Sequence, residues 1–241
     1  MVLAGAPVAA QAPADRPGSV PEADALYARR EEPGQARAAA DLWARALEAD
    51  PTNFEAAWKL AKARYWLGTH GPEAQRRADL EAGIEAARKA IALRPRSPEG
   101  HFWLAANMGA LAESFGLRQG IKYRKPIKAA LEEVLRIDPA YEQGSADRAL
   151  GRWYFKVPGL FGGSNEKSEA HLRRALEYNP QSTVTWFFLA ETLLDMGRKD
   201  EAREALQRVL DAPVSEDWGP EDREWKKKAS ELLASLEARK R

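Results

Sequence analysis

The chain has 241 residues, and its 37 Lys and Arg residues nearly balance 36 Asp and Glu residues, which leaves a formal net charge of +1. A nucleic-acid-binding protein needs a concentrated basic face, so this balance argues against that class. The chain contains no cysteine, which excludes disulfides, thiolate metal sites and cysteine nucleophiles.

The first 21 residues differ in composition from the rest of the chain, because they are small and apolar at first and then rich in proline. They resemble the end of a secretory signal peptide whose basic n-region is missing, with a small-residue cleavage site at residues 8–10 or 10–12. We therefore expect residues 1–21 to be a signal-peptide remnant or a disordered tail. On this interpretation the protein is periplasmic or exported, and the alternative is a cytoplasmic protein.

Residues 22–241 are predicted to form one helical domain. Helical periodicity predicts five helical pairs, in residues 24–51, 54–95, 101–139, 149–180 and 181–213, and a polar capping helix around Trp225 to Leu236. In the second pair, Gly68 is predicted to end the first helix. No apolar run approaches the roughly 18 residues that a membrane span needs, so no transmembrane segment is expected.

The last pair shows the repeat most clearly. Residues 181–213 contain the pattern W-x2-L-A-x2-L, then A-x3-L-x2-V, then proline. These spacings put the apolar residues of each helix on one face: Trp186, Leu189, Ala190 and Leu193, then Ala202, Leu206 and Val209. Gly197 is predicted to end the first helix in a left-handed conformation, and Asp200 to cap the second. The pattern resembles a tetratricopeptide repeat (TPR), which implies an all-α TPR-like array, an α-α superhelix or solenoid of about five helical hairpins.

The repeats are longer than a standard TPR. Prolines 51, 95, 139 and 180 are 44, 44 and 41 residues apart, whereas an uninterrupted array repeats every ~34 residues. The surplus predicts longer helices or insertions after Gly68, Met108 and Tyr154. The last insertion contains an apolar loop that we expect to fold back onto the array or to line a pocket, formed by Pro158, Gly159, Leu160, Phe161, Gly162 and Gly163.

Two family resemblances follow from these segments. Residues 100–113, 126–139 and 150–157, with the final repeat, look like the regulator of microtubule dynamics family, which implies membrane-contact scaffolding and, for some members, phospholipid binding. The loop residues Pro158, Gly162 and Gly163 precede a helix with Ser168, Leu172 and Ala175, which resembles the periplasmic T-component of TRAP transporters. That second resemblance implies homo-oligomeric association, a solute-binding protein as partner and a hydrophobic pore. A signal-like N-terminus favours a bacterial setting.

The titratable residues do not predict catalysis. The three histidines, His70, His101 and His171, are isolated, and no metal-ligand pair or nucleophile motif is present. We therefore expect no enzymatic activity, no metal and no cofactor.

Aromatic residues predict an interaction surface. Trp58, Phe102 and Phe187 each stand two residues before a leucine of the packing face, on the flank of a first helix that faces the concave side. The predicted groove contacts are Trp58, Lys62, Tyr65, Trp66, Phe102, Arg152, Phe155 and Phe187, and the predicted pocket loop is Pro158, Leu160, Phe161, Gly162 and Gly163. Neighbouring helices could instead cover these rings.

The predicted surface leads to two function hypotheses. The first is a scaffold that binds a protein partner through its concave surface. The second is a carrier for a fatty acid, a phospholipid or another hydrophobic ligand, whose anionic head Lys62 or Arg152 would hold.

Overall fold

The computed structural model describes residues 20–238, and these residues form helices connected by turns, with no β-strand. The helices are Pro21–Ala28 (α1), Gln35–Ala49 (α2), Phe54–His70 (α3), Glu73–Leu93 (α4), Pro98–Ser114 (α5), Leu117–Ile137 (α6), Ser145–Lys156 (α7), Asn165–Tyr178 (α8), Thr183–Asp195 (α9), Lys199–Asp211 (α10) and Gly219–Ala238 (α11). A 3₁₀ turn, Gly159–Phe161, lies between α7 and α8. Within residues 20–238, no helix combines the length and the apolar character that crossing a membrane requires.

The second helices of the first four pairs end in the same way. Their C-terminal caps are Asp50, Arg94, Asp138 and Asn179, all with φ between −130° and −154°, and a proline follows each. The proline ring disfavours helical backbone at the preceding residue, which explains why the chain leaves the helix there. The proline spacing therefore sets the length of each unit.

The helices pack as five consecutive hairpins, α1/α2 to α9/α10, and α11 packs on α9 and α10 as a cap. This confirms the predicted all-α array. The core follows the array as a central cluster around Leu80, Leu131 and Leu150, with an N-terminal cluster around Trp43 and a C-terminal cluster around Leu206. Each hairpin thus buries its apolar stripe mainly against its neighbours, as expected for a repeat protein.

Most of the surplus length lies in the helices themselves. α3 and α5 have 17 residues each and α4 and α6 have 21 each, whereas α9 and α10 have 13 each. The prediction that Gly68 ends α3 is wrong, because α3 continues to His70. Gly68 instead lies where α3 crosses α4, and a Cβ atom there would come within 2.5 Å of Leu80 Cγ.

The fifth hairpin corrects two details of the sequence interpretation. Gly197 has the predicted left-handed backbone, with φ of +78°, but the cap of α10 is Arg198, so Asp200 lies in the first turn. Trp186 packs against the C-terminal core cluster as predicted, but it is only partly buried, and its indole N–H bonds to the carbonyl of Pro180. Phe187, one residue further, is the buried ring, and it packs on Trp225 of the cap.

The array closes on itself. Arg30, directly after α1, donates to Glu221 at the start of α11 over 3.0 Å and to the carbonyl of Asp217 over 2.9 Å. Arg223 bonds to Glu31 over 2.6 Å, and a His70 ring nitrogen lies 3.2 Å from Glu224. We call this set of side-chain pairs the closure contact. It joins the first two hairpins to the C-terminal cap, so that the first helices of the array surround a concave inner face that is partly open to solvent.

The proposed signal remnant falls almost entirely outside the described residues, which begin at residue 20. The boundary between residues 21 and 22, and export itself, stay predictions.

Candidate functional site

The inner face of the array forms a partly open cavity of about 1120 Å³. Its wall comes mainly from the first helix of successive hairpins, α3, α5, α7 and α9, and the segment from Pro213 to Lys228 closes the remaining side. Aromatic rings from several of these elements face it, namely Tyr65, Trp66, Phe102, Trp103, Trp153, Phe188, Trp218 and Trp225. The cavity therefore combines apolar walls with side chains from widely separated parts of the sequence.

The structure brings about half of the predicted site residues to this cavity. Those that line it are Tyr65, Trp66, Phe102, Arg152, Pro158 and Phe161. The others, Trp58, Lys62, Phe155, Phe187, Leu160, Gly162 and Gly163, are not part of its lining. Several of the predicted rings are covered by neighbouring helices: Phe102, Trp66 and Phe187 are buried. Phe102 packs on Trp103 and Tyr141, at centroid distances of 5.1 and 5.6 Å.

The pocket loop does not cover these rings, so of its two expected placements, folded back onto the array or lining a pocket, it takes the second, through two of its residues. Leu160 is 90% exposed, and no side chain of the loop's 3₁₀ turn is buried. Of the loop residues, only Pro158 and Phe161 belong to the lining of the cavity. The backbone N–H of Ser164 bonds to the carbonyl of Tyr154 over 3.0 Å, which fixes the loop at the end of α7 instead of above the cavity.

Arg152 was predicted to hold an anionic head, but two carboxylates already neutralise it. Its guanidinium donates to Glu191 over 2.6 Å and to Glu113 over 3.3 Å. Arg148, one turn earlier on the same face of α7, also lines the cavity and makes no ion pair or side-chain hydrogen bond with the described residues. Burial lowers the pKa of Arg148, and the negative charge of Glu142 opposes this effect only in part. The spacing of four between Arg148 and Arg152 was the signal in the sequence that would have identified Arg148.

Lys62 lies beside the cavity among aromatic rings. Its ammonium is 4.9 Å from the centroid of the Trp218 ring, 5.4 Å from that of Tyr27 and 5.7 Å from that of Trp103. Burial lowers its pKa, and the nearby carboxylate of Glu142 opposes this. No carboxylate forms an ion pair with Lys62 among the described residues. The rings stabilise the cation through their π faces but leave its charge unneutralised.

The turn between α6 and α7 has an unusual backbone. Glu142 and Gln143 have φ of +46° and +57°, and Gly144 follows with φ of +77°. Residues other than glycine rarely adopt this left-handed conformation, and such strain is often found at functional sites. The turn places both Glu142 and Gln143 at the cavity. From there the negative charge of Glu142 opposes the effect of burial on the pKa of both Lys62 and Arg148.

The cavity can accept a chain with apolar groups and one negative charge. Its rings offer apolar contact, and Arg148 supplies a positive charge that no ion pair within residues 20–238 neutralises and that Glu142 offsets only in part. Burial of an unpaired cation is costly, and an anionic group beside Arg148 would remove part of that cost.

Two sequence families match this chain. Residues 20–161 match the sequence model of the family described as regulator of microtubule dynamics protein 1-3. The chain belongs to this family. Residues 163–218 match the tetratricopeptide repeat model, in agreement with the helical hairpins seen there.

Known proteins and solved structures that are similar to this chain agree with its TPR fold. Regulator of microtubule dynamics protein 3 from Bos taurus is 26% identical to this chain over 173 residues. The match covers 65% of this chain and 36% of that protein, so the chain spans about a third of the length of this relative. Among solved structures, TTC0263, a thermophilic TPR protein of Thermus thermophilus, is 26% identical and has a TM-score of 0.66 over 88% of this chain and 95% of its own. PilF of Pseudomonas aeruginosa has a TM-score of 0.54 at 18% identity, over 90% of this chain and 92% of its own, and shows the fold alone. The resemblance to the T-component of TRAP transporters stays a prediction.

Proposed function

We propose that this protein is a non-enzymatic TPR scaffold that binds a protein partner in its concave cavity. The single observation that carries the proposal is the cavity itself, which the first helices of successive TPR hairpins line with aromatic rings and with the cation Arg148. First helices of helical repeats commonly present a concave binding surface, and apolar pockets with a few polar groups are the usual form of a binding site. Its location in the bacterial periplasm or cell envelope is part of the proposal and rests on the composition of residues 1–21.

Site-specific photo-crosslinking in cells tests the scaffold. A photoreactive amino acid at Ala106, which lines the cavity, should give an adduct of discrete protein mass. The matched control places the same amino acid at Ala82, an exposed alanine of α4, and should give none. Arg148→Gln should reduce the adduct at position 106. Equal adducts at both positions, or none at either, would contradict the proposal.

A carrier for a lipid or another hydrophobic ligand is the second candidate, and the charge of Arg148, which lines the cavity without an ion pair among the described residues, favours it. Native mass spectrometry of the purified protein would then detect a bound fatty acid or phospholipid. Arg148→Gln should weaken binding of an anionic ligand more than that of a neutral ligand of equal chain length. Phe102→Ala combined with Phe188→Ala, two rings that line the cavity, should weaken both ligands. Absence of a bound ligand, together with a protein adduct at position 106, would favour the scaffold over the carrier.

A further inference from the structure

Three residues separate the cavity from a second cleft on the outside of the molecule. The cleft has a volume of about 550 Å³ and lies between the turn that joins α1 to α2, the end of α3 and the start of α11. Trp66, His70 and Glu224 line both the cleft and the cavity, and no other residue does so among those that the structure describes. These three residues therefore form the wall between the two spaces, and we call them the gate.

The gate is part of the closure contact, because it joins α3 to the C-terminal cap. His70 is the last residue of α3, and Glu224 lies in the first half of α11. The His70 ring stacks on Trp66, with the ring centroids 3.6 Å apart and an interplanar angle of 14°. The indole N–H of Trp66 bonds to the carbonyl of Arg30 over 3.1 Å, which fixes the Trp66 ring. The pair of His70 and Glu224 is thus the contact of the gate that bridges α3 and α11.

Each nitrogen of the His70 ring faces a hydrogen-bond acceptor. Nε2 lies 3.2 Å from a carboxylate oxygen of Glu224. Nδ1 lies 3.1 Å from the carbonyl oxygen of Trp66 and 2.8 Å from the hydroxyl oxygen of Thr69, which donates its own proton to the carbonyl of Tyr65 over 2.8 Å. A neutral imidazole has an N–H at one nitrogen only, whereas the protonated ring has one at both. Only the protonated ring therefore donates to Glu224 and to the end of α3 at the same time.

The surroundings of His70 favour a positive charge on its ring. The last carbonyls of α3 carry the negative end of the helix dipole, beside which a cation is stabilised. The face of the Trp66 ring also attracts a cation that stacks on it. Glu224 stays ionised throughout the neutral range, because hydrogen bonds from His70 and Lys228 hold its pKa at about 2. Loss of a proton from His70 would thus remove one hydrogen bond and one favourable charge pair from the gate.

The other charged groups around the gate keep their charge near neutral pH. The guanidinium carbon of Arg30 lies 5.1 Å from the centroid of the Trp66 ring, and Arg30 pairs with Glu221. Lys228 pairs with Glu224 over 2.6 Å. Further charged residues lie on the elements packed around the gate: Glu31 and Glu32 after α1, Arg37 in α2, Glu73 and Arg76 in α4, and Arg223 in α11. All of these are Arg, Lys or Glu residues, whose charge changes little between about pH 5.5 and about pH 8, whereas histidine titrates in this range.

We propose that the gate is a proton-dependent entrance to the cavity. Protonated His70 holds α3 and α11 together, and release of the proton weakens this hold and joins the outer cleft to the cavity. Because the charged form makes the additional hydrogen bond, the contact is complete at low pH and is lost as pH rises, so the gate is tighter at about pH 5.5 than at about pH 8. This proposal goes beyond the scaffold and does not rest on it, since the gate would act on any molecule that enters the cavity from the cleft.

Distance measurements across the gate test the proposal, since the chain has no cysteine of its own. Spin labels are placed on Ala74→Cys at the start of α4 and on Ser230→Cys in α11, two exposed positions on opposite sides of the gate. By double electron–electron resonance, the ratio of molecules with a long distance to those with a short one should be roughly threefold to fivefold higher at about pH 8 than at about pH 5.5, the effect of one partly exposed charged pair. Circular dichroism at both pH values checks that the helices stay folded.

Substitutions assign the response to the gate. His70→Gln keeps an N–H donor but takes up no proton, so it should give the same distance distribution at both pH values. Glu224→Gln removes the carboxylate, leaves His70 in place and should abolish the response as well, which keeps the test valid if His70→Gln does not fold. The matched control is His101→Gln in α5, whose ring nitrogen lies 3.0 Å from the carbonyl oxygen of Pro95, and it should keep the wild-type response. An unchanged distribution in the wild type, a response that survives in either gate variant, or a loss of the response in the control would each overturn the proposal.

Discussion

Asp79 illustrates how a single buried charge joins three helices. Its carboxylate in α4 accepts hydrogen bonds from Arg37 of α2, at 2.6 and 2.7 Å, and from Arg64 of α3, at 2.7 Å. Burial would raise the pKa of Asp79, but the hydrogen bonds from Arg37 and Arg64 outweigh that effect and hold it below its usual value. The first two hairpins are therefore joined by a charge that water barely reaches, since Asp79 is 3% exposed.

Replacing this carboxylate should destabilise the N-terminal hairpins. Removing one partner of a fully buried ion pair costs about 3–5 kcal/mol, and we expect Asp79→Asn to cost somewhat less because Arg37 is partly exposed. Urea unfolding followed by circular dichroism measures the change in free energy. The control is Asp200→Asn, whose side chain is 93% exposed and pairs with Arg203, and it should change stability by less than about 1 kcal/mol. Similar costs for the two variants would contradict this account.

The Asp79 carboxylate should also make the stability of the protein depend on pH in the acidic range. Because the pKa of Asp79 is lower in the folded than in the unfolded chain, its contribution is present above the unfolded value of about 3.9 and is lost as pH falls through the folded value. The wild type should therefore lose more stability than Asp79→Asn as the pH is lowered below about 4. Urea unfolding across this range would check it, and parallel pH profiles for the two proteins would be inconsistent with the prediction.

At the scale of the helical element, close crossings decide which glycines are needed. Gly151 lies where α7 crosses α8, and a Cβ atom there would come within 2.5 Å of Leu172 Cγ and 3.2 Å of the Ser168 carbonyl oxygen. Gly109, in the middle of α5, has no atom within 4 Å of the same position. Two helical glycines with the same local propensity therefore have opposite roles.

Alanine at these two positions should change stability in opposite directions. Gly151→Ala overpacks the α7/α8 crossing and should cost about 1–3 kcal/mol. Gly109→Ala should stabilise the protein by roughly 0.5–1 kcal/mol, since alanine is the better helix former. Thermal melts of both variants provide the measurement. Stabilisation by Gly151→Ala would show that the helices separate at this crossing without cost.

At the scale of the whole molecule, the closure contact joins the N-terminal hairpins of the array to its C-terminal cap. It consists of side-chain pairs between residues 154 to 192 positions apart, including Arg30 with Glu221 and Arg223 with Glu31. The hydrogen bond from His70 lowers the pKa of Glu224 to about 2. The Arg30–Glu221 pair is largely buried, whereas Arg223 and Glu31 are both exposed, so we expect Arg30–Glu221 to contribute most of the stability of the closure contact.

Removing this contact should open the cavity while the hairpins stay folded. Glu221→Ala combined with Arg223→Ala leaves Arg30 and Glu31 without these partners. Spin labels on Arg29→Cys and Lys227→Cys, both at exposed positions, should then report a longer and broader distance distribution by double electron–electron resonance. Glu204→Ala, an exposed acid of α10, serves as the control and should leave the distribution unchanged. An unchanged distribution in the double variant would show that other contacts close the array.

Local rules in the sequence were enough to determine the array. Prolines 51, 95, 139 and 180 end the second helices because each acts on the residue directly before it, and apolar spacings of three and four assign the packing faces. The same rules identified α11 as a cap and Gly197 as a helix end. The prediction that Gly68 ends α3 was wrong, because it took glycine as a helix-ending signal. Gly68 lies inside α3, where Leu80 of the next helix packs against it.

The site depended on contacts between residues far apart in sequence, which no local pattern specifies. Arg148 and Arg152 lie one turn apart on the same face of their helix. Arg152 is neutralised by Glu113 and Glu191, which are each 39 residues away in sequence, whereas Arg148 has no ion pair among residues 20–238. The exposure of Leu160 likewise follows from the direction in which the end of α7 holds its loop. Helical periodicity determines which face of a helix is buried, whereas the partner that each charge finds depends on how all the hairpins stack.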